Sequence, residues 1–308
     1  MSETLKKRNL WNEVWKHRIY YLFLLPAAFI LIYFNFVPTI ATVLLSFKDF
    51  NPMDGIWLSP WVGFENFQWA FMMQDFYAVI ANTLILSALR LVFGFFPPII
   101  LAILLYDIRI EWYRRLTQSI TYLPHFLSWV IVYGFVFMLM SPATGLIPNI
   151  IRLFGITPPD FLIDPKWYRT MFIGWGIWKT VGWSAIIYLA ALAGIEKELF
   201  EAAAIDGAGV WKRISRIMIP SILPIMVLLL TLNMGQLFSV GFEQTMLFSN
   251  SANILVADII DSWVFRQGLV YSDFNTATAV GFLQNAIGIA LIISANWLAK
   301  RLTGSGLY

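Results

Sequence analysis

Residue types that perform covalent or metal chemistry are nearly absent from this sequence. It contains no cysteine and only two histidines, His17 and His125, which are far apart. Without thiolates and with so few imidazoles, the chain lacks the ligands of an ordinary zinc site and has no cysteine nucleophile. The sequence therefore predicts neither a catalytic residue nor a metal site.

The polar residues that stand out instead lie inside long apolar stretches. Polar groups in a hydrocarbon environment are costly, and they tend to face a helix-bundle interior or an aqueous cavity. Amide groups match the hydroxyls of sugars, and aromatic faces pack against pyranose rings. The residues predicted to line such a solute path are Asn82, Arg90, Trp175, Trp178, Lys179, Asn233, Gln236, Glu243, Gln284 and Asn285.

These path candidates also admit a structural interpretation. Asn and Gln within spans often join helices by hydrogen bonds without touching a solute, and tryptophan rings often anchor at an interface or fill packing space. Arg90 and Lys179 either pair with acidic groups of a partner chain or attract an acidic saccharide such as a uronate. Asn233, Gln236 and Glu243 recur at helical spacing, so a continuous helix would place them on one face.

The elements that must position these residues are membrane spans. Of the 308 residues, 59% are hydrophobic and 13% are charged, and the mean hydropathy of +0.71 lies far above that of soluble proteins. The basic residues are spread among the apolar blocks, which argues against a nucleic-acid partner. An all-α membrane protein is predicted, with spans of about 20 or more apolar residues at 20–47, 79–105, 119–140, 170–192, 221–247 and 276–298.

The sidedness of the basic residues predicts the topology. The N-terminal segment, alternate loops and the tail hold 14 of the 21 Lys and Arg residues, so both termini are expected in the cytoplasm. The first span is too long for a cleaved signal peptide and is expected to break near Pro26 and Pro38. The resulting division is 1–19 cytoplasmic, 20–47 first span, 48–78 external loop, 79–298 five-helix core including cytoplasmic segment 194–220, and 299–308 cytoplasmic tail.

The predicted external segments are rich in aromatic and acidic residues. Loop 48–78 carries Trp57, Trp61 and Trp69 between prolines and glycines, which is typical of a membrane-interface anchor or of a docking face for an external partner. Asp258, Asp261 and Asp273 are expected to form a hydrated rim.

The cytoplasmic segment 194–220 has a distinct pattern. Strong helix formers run up to Gly207 and Gly209, so we predict a helix, a glycine turn and a second helix. Alanines 202–204 give the first helix a low profile that another protein could approach closely. A solvated connector resting on the membrane is the alternative.

At fixed spacing the same segment resembles a known signature. Glu201, Ala202 and Ala203 are followed after three residues by Gly207, and after nine more by Ile217, one residue and Ile219-Pro220. This resembles the EAA motif of permease subunits from binding-protein-dependent ABC importers, with Ile219 where the pattern has Leu. The stretches SFKDFNP and WVGFENF, at 46–52 and 61–67, resemble the carbohydrate-uptake permeases of maltose and oligosaccharide type.

The resemblance implies a type I ABC importer permease fold with six transmembrane helices and a cytoplasmic coupling helix. It assigns contact with the ATPase to Glu201, Ala202, Ala203, Asp206 and Gly207. It also implies a multi-pass protein of a bacterial cell membrane that imports a sugar or oligosaccharide. The implied partners are a second, commonly homologous permease, two cytoplasmic ATP-binding subunits, an external solute-binding protein and membrane lipid.

The chain itself is expected to need no cofactor. It has no G-x4-G-K-[ST] phosphate loop, so ATP and magnesium are expected on the partner ATPase, and this chain is expected not to be an enzyme. Two alternatives work without an ATPase. A secondary carrier would show paired broken segments in its two halves, and a membrane-embedded enzyme would need a nucleophile, metal cluster or carboxylate pair at depth.

Overall fold

The computed structural model describes residues 15–303, and these residues are mainly helical, with one isolated bridge between Lys48 and Trp61. The predicted ends of the chain, 1–19 and 299–308, lie partly outside the described residues. The principal helices are α1 Arg18–Ser46, α2 Phe76–Asp107, α3 Glu111–Tyr122, α4 Trp129–Met140, α5 Pro165–Ala193, α6 Lys197–Ile205, α7 Val210–Gly235, α8 Phe242–Phe248, α9 Ile260–Phe265 and α10 Phe274–Thr303. Single-turn to two-turn helices lie at Gly55–Leu58, Glu65–Met72, Leu146–Leu153 and Ile254–Ala257, a 3-10 turn at Leu123–Phe126, and π turns at Ile32–Phe36, Ile214–Met218 and Arg266–Val270.

Five of these helices are long and apolar enough to cross a membrane: α1, α2, α5, α7 and α10. A sixth span is obtained if α3 and α4 are counted together. The spans are helical because no water is present in the bilayer core, so each backbone N–H and C=O must be bonded within the segment. Helical spans of this length agree with the predicted all-α class.

Helix α1 projects from the rest of the chain. Its residues 18–40 are exposed, and only its last part, Val37–Ser46, packs against α10. The Ser46 hydroxyl donates a hydrogen bond to the Thr278 carbonyl at 3.0 Å. The predicted break near Pro38 is a π turn at Ile32–Phe36 rather than an interruption, and Pro26 lies within continuous helix.

The centre of the fold is the packing of α2 on α5. Buried Leu86, Val132 and Phe172 join α2, α4 and α5, while Ala102 and Ala185 belong to a second cluster in which α2 and α5 meet α7. A third cluster, around Phe76 and Trp263, joins α2 to α9 and α10. Long, almost wholly apolar helices can pack in this way on several sides at once.

The span predicted at 119–140 is a bent pair of helices rather than one continuous helix. The chain is helical on both sides of residues 127–128 but turns by 105° between α3 and α4. Pro124 lies in a 3-10 turn that ends α3, and the Ser128 hydroxyl begins α4 by accepting from the Ile131 amide at 3.3 Å. A proline and an N-cap serine together stop one helix and start another.

The prediction of one helix through 221–247 is wrong. Helix α7 ends at Gly235, residues 236–241 form a loop, and α8 begins after Gly241, whose φ is +113°. A positive φ of this kind favours glycine, because a side chain would clash with its own backbone.

The predicted hydrated rim of aspartates is wrong for Asp258. This residue is 5% exposed, and its carboxylate pairs with Arg266 at 2.5 Å. The hydrogen bond raises the pKa of Arg266. Asp261 is half-buried and accepts from the Gln284 amide at 2.7 Å, while burial raises the pKa of Asp261.

Candidate functional site: a polar cavity among the spans

A cavity of about 350 Å³ lies between α2, α5, the end of α7 and the loop 236–241. Its apolar wall comes from residues such as Phe95, Phe172 and Ile177. Its polar lining combines hydroxyl and amide groups with one guanidinium: Ser87, Arg90, Thr180, Ser184, Asn233, Gln236, Ser239 and Gln244. Such a mixture of apolar walls and a few convergent polar groups is typical of a small-molecule site.

Two side chains of α2 hold the loop 236–241 in place. The Ser87 hydroxyl donates to the Leu237 carbonyl, and Arg90 Nη1 donates to the Val240 carbonyl. Gly241 follows directly, and a Cβ atom on it would come within 3.0 Å of Arg90 Nη1. The end of α7 is therefore fixed by contacts to a helix 150 residues earlier in the chain.

The side of the cavity formed by α5 and α8 offers hydrogen-bonding capacity. Gln244 Nε2 donates to the Phe172 carbonyl at 2.6 Å, while Gln244 Oε1 is buried without a hydrogen-bond partner among the described residues. Thr180 donates to the Gly176 carbonyl of its own helix, which leaves its oxygen able to accept a further hydrogen bond. A buried acceptor without a partner is costly unless a ligand or water satisfies it.

Three of the ten predicted path residues line this cavity: Arg90, Asn233 and Gln236. Asn233 and Gln236 are exposed toward it, at the last turn and C-cap of α7. Glu243, predicted to share their helical face, lies on the separate helix α8 and does not line the cavity. The prediction that the three residues share one helical face was wrong because α7 does not continue past Gly235.

Two other predicted path residues join parts of the fold. Asn82 donates to the Leu255 carbonyl at 2.8 Å and accepts from Arg169 at 3.3 Å. Lys179 is 8% exposed and donates to the His125 carbonyl at 2.8 Å. The interhelical interpretation of these polar residues fits both contacts.

The remaining predicted residues lie away from the cavity. Gln284 donates to the Phe238 carbonyl and to Asp261, both at 2.7 Å, and Asn285 is exposed and bonds the Gly281 carbonyl of its own helix. The Trp175 and Trp178 rings contact each other edge to face at 5.5 Å.

Sequence reasoning missed five polar lining residues: Ser87, Thr180, Ser184, Ser239 and Gln244. Hydroxyls are common in apolar helices, where they bond their own backbone, so each alone is a weak signal. Spacing provides a stronger one, because Ser87 lies three residues before Arg90 and Thr180 lies four before Ser184.

A second surface of interest is the segment around α6. The predicted helix, glycine turn and second helix are present as α6, Gly207 with φ +66°, and α7. The turn is closed by the amides of Gly207 and Ala208, which donate to the carbonyls of Ala204 and Ala203 at 3.1 and 2.8 Å. A glycine in this conformation ends helices because it satisfies their last carbonyls without steric strain.

The surface of this segment is both charged and apolar. A groove of about 410 Å³ lies between α6 and α7, and Ala202, Ala203 and Asp206 line one side while Lys212 and Arg216 line the other. The same two helices also carry exposed apolar side chains: Leu199, which lines the groove, and Ile205, Val210 and Trp211, of which Ile205 is 87% exposed. An apolar patch with charged edges is typical of a protein interaction site.

The family described as binding-protein-dependent transport system inner membrane component matches residues 94–304. The chain belongs to this family. It is therefore a permease subunit of the bacterial inner membrane, a transport component rather than an enzyme. The matched range contains α3 to α10, the cavity lining from Gly94 onward and the groove beside α6.

Two relatives from Bacillus subtilis (strain 168) are similar over nearly their whole length. Protein LplB is 41% identical over 94% of the permease and 90% of its own chain. The polygalacturonan/rhamnogalacturonan transport system permease protein YteP is 38% identical over 98% of the permease and 94% of its own chain.

The permease also superposes on a solved transporter. A chain from the crystal structure of a bacterial alginate ABC transporter, in complex with an alginate pentasaccharide-bound periplasmic protein, matches with a TM-score of 0.90 and 35% identity. The match covers 97% of the permease and all of that chain. The permease therefore has the fold of a chain of that ABC transporter.

Proposed function

We propose that this permease forms half of the translocation path of an ATP-driven importer for an oligosaccharide. The observation that supports the substrate class most directly is the lining of the cavity among the spans, where amides and hydroxyls lie beside apolar walls. These groups match the alternating hydroxyls and apolar faces of a sugar ring. Two of the similar proteins are named for polysaccharides: YteP for polygalacturonan and rhamnogalacturonan, and the solved transporter for alginate.

Helix α6 is proposed as the contact with a separate ATPase. Its small residues Ala202 and Ala203 leave space for a close approach, and Glu201 and Asp206 provide polar contacts at the same surface. Gly207 sets the angle between this helix and α7, whose other end borders the cavity. Movement imposed on α6 is thereby passed to the cavity wall along one rigid helix.

The complete importer is proposed to contain a second, homologous permease, two ATP-binding subunits that carry ATP and magnesium, and an external solute-binding protein. The exposed helix α1 and the open side of the cavity are consistent with assembly beside another membrane subunit. Both termini are proposed to be cytoplasmic, which places α6 on the side where ATP is present.

Reconstitution tests this function. The permease is co-purified with its partner chains, inserted into liposomes with the solute-binding protein, and screened with oligosaccharides for uptake and stimulated ATP hydrolysis. We expect at least one oligosaccharide to stimulate both activities. Purification of the permease as a carrier that works without any ATPase would contradict the proposal.

Matched asparagine variants test whether the path runs through this cavity. Asn233→Ala removes an amide from the cavity lining, whereas Asn285→Ala removes one that bonds only its own helix at an exposed position. We expect the first variant to lower uptake about 2- to 13-fold, the usual effect of one lost hydrogen bond, and the second to keep uptake near the wild-type rate. Equal effects would place the path elsewhere.

A further inference from the structure

The charge of the cavity is set by a single residue. Among the described residues that line it, Arg90 is the only charged side chain, and the others are neutral polar or apolar. Lys179, a cation of α5 that is not among the lining residues, donates to the His125 carbonyl and lies against the Trp129 ring. The described lining of the cavity therefore carries one net positive charge and no acidic group.

This positive charge has no counter-ion in the described part of the chain. Arg90 Nη1 donates to the Val240 carbonyl, which is a neutral acceptor. The Asp261 carboxylate accepts from the Gln284 amide through Oδ1, and its Oδ2 is buried without a hydrogen-bond partner among the described residues. None of the ion pairs of the described residues includes Arg90. A guanidinium within a membrane protein is costly unless it is paired or hydrated, so Arg90 is expected to serve a bound anion.

The guanidinium also has the right geometry for such an anion. It offers five N–H donors in a planar fork, of which the Val240 contact uses one edge position, and such forks bind carboxylates through two parallel hydrogen bonds. Asn233, Gln236 and Ser239 lie in the same lining and can bond the hydroxyls of an attached sugar ring.

We infer that the cavity accepts an oligosaccharide that carries carboxylate groups, of the uronate class, and that Arg90 is the residue that selects it. The planar guanidinium can bind one carboxylate of such a chain through two parallel hydrogen bonds, while the amides and hydroxyls of the same lining bind its ring hydroxyls. The inference rests on the proposed function, since it names the class of saccharide that this same cavity takes.

The test compares a uronate with a neutral saccharide of the same length and ring type. Trigalacturonate and its methyl ester are titrated into the solubilised permease–ATPase complex without the solute-binding protein, and uptake of both is measured in liposomes with that protein saturated. The wild-type complex should bind and import trigalacturonate in preference to the ester. Arg90→Gln should lower uptake of trigalacturonate by about 10- to 100-fold, as expected for a lost charged hydrogen bond, and change that of the ester less than about threefold. Arg90→Lys should keep part of the preference because it keeps the charge.

Ser87→Ala is the matched control, because Ser87 anchors the same loop through the Leu237 carbonyl but carries no charge. Ser87→Ala should lower uptake of both saccharides by the same factor and leave the ratio of the two uptake rates unchanged.

A wild-type complex with no preference for trigalacturonate contradicts the inference, as does one that fails to bind trigalacturonate at millimolar concentration. If Arg90→Gln lowers uptake of both saccharides by the same factor, Arg90 only anchors the loop or pairs with the second permease. A wild-type complex that imports only neutral saccharides overturns this inference alone, whereas one that imports no saccharide overturns the proposed function.

Discussion

Individual charged residues of this permease differ greatly in how much the fold depends on them. The ion pairs Asp258–Arg266 and Glu111–Arg115 have the same N–O separation of 2.5 Å. The side chains of the first are 8% and 27% exposed, and those of the second are 62% and 74% exposed. Solvent and salt screen the exposed pair, whereas Arg266 is the charged partner of the buried Asp258 carboxylate, which otherwise accepts a neutral hydrogen bond from Ser262.

We therefore expect Arg266→Gln to be strongly destabilising and Arg115→Gln to be nearly neutral. The first change leaves the buried Asp258 carboxylate without a charged partner, at a cost of about 3–5 kcal/mol. The second removes an exposed pair worth about 1 kcal/mol or less. Apparent melting temperatures of the solubilised permease measure both. Similar shifts for the two variants would show that Asp258 is hydrated in the native protein.

Helices α3 and α5 approach each other closely where Gly182 faces Thr121. Gly182 of α5 lies so near the Thr121 carbonyl that a Cβ atom would be 2.0 Å from its oxygen. Backbone atoms cannot move aside as a flexible side chain can, so the end of α3 is held on α5 by the absence of a side chain at this position.

Gly182→Ala should separate α3 from α5 and lower the melting temperature by an amount equivalent to about 1–3 kcal/mol. Gly174→Ala, two turns earlier on the same helix, is the control, because a Cβ atom there meets no atom within 4 Å. Alanine has the higher helix propensity, so this control should be neutral or slightly stabilising. Normal stability of Gly182→Ala would contradict the close approach.

Helix α6 provides a second pair of glycines for comparison. Gly207 has φ +66° and Gly209 has φ −67°, and a Cβ atom added to either would meet no atom within 4 Å. An added side chain therefore has equal room at Gly207 and Gly209, and the two positions differ only in backbone conformation. A β-branched residue in place of Gly207 costs about 1–2 kcal/mol or more in folding free energy, whereas the backbone conformation of Gly209 is open to any residue.

Gly207→Val should change the angle of α6 and reduce transport and sugar-stimulated ATP hydrolysis together, while Gly209→Val should leave both near wild type. Glu201→Lys should resemble Gly207→Val, because it places the wrong charge on the proposed contact surface. The sugar affinity of the solute-binding protein is expected to stay unchanged in all three. Normal uptake by Gly207→Val and Glu201→Lys at normal membrane abundance would show that α6 is only a connector.

The whole molecule has an orientation in the membrane that its basic residues predict. Most Lys and Arg lie in the segments assigned to the cytoplasm, including Lys212 beside α6, whereas Asp54 lies in the loop assigned to the outside. Both positions are exposed, and the chain has no cysteine of its own. In intact cells a membrane-impermeant maleimide should label Asp54→Cys and not Lys212→Cys, and both should react after permeabilisation. The reverse pattern would overturn the topology.

The sequence by itself determined the location of the spans α1, α2, α5 and α10, and the helix, glycine turn and helix at 194–220. Apolar stretches of span length must form helices in a membrane because their backbone groups can find partners only within the segment. The turn at Gly207 was predictable because few other residues adopt a positive φ there. Both are local properties of the chain.

Only the tertiary structure decided which polar residues line the cavity. Helical periodicity placed Glu243 beside Asn233 and Gln236, but the chain leaves its helix at Gly235 and re-enters another at Phe242. The loop between them is held by Ser87 and Arg90, each 150 residues distant from its partner. A periodic pattern describes one continuous helix, whereas the end of that helix and the direction of the loop depend on hydrogen bonds to a distant span, which no local pattern contains.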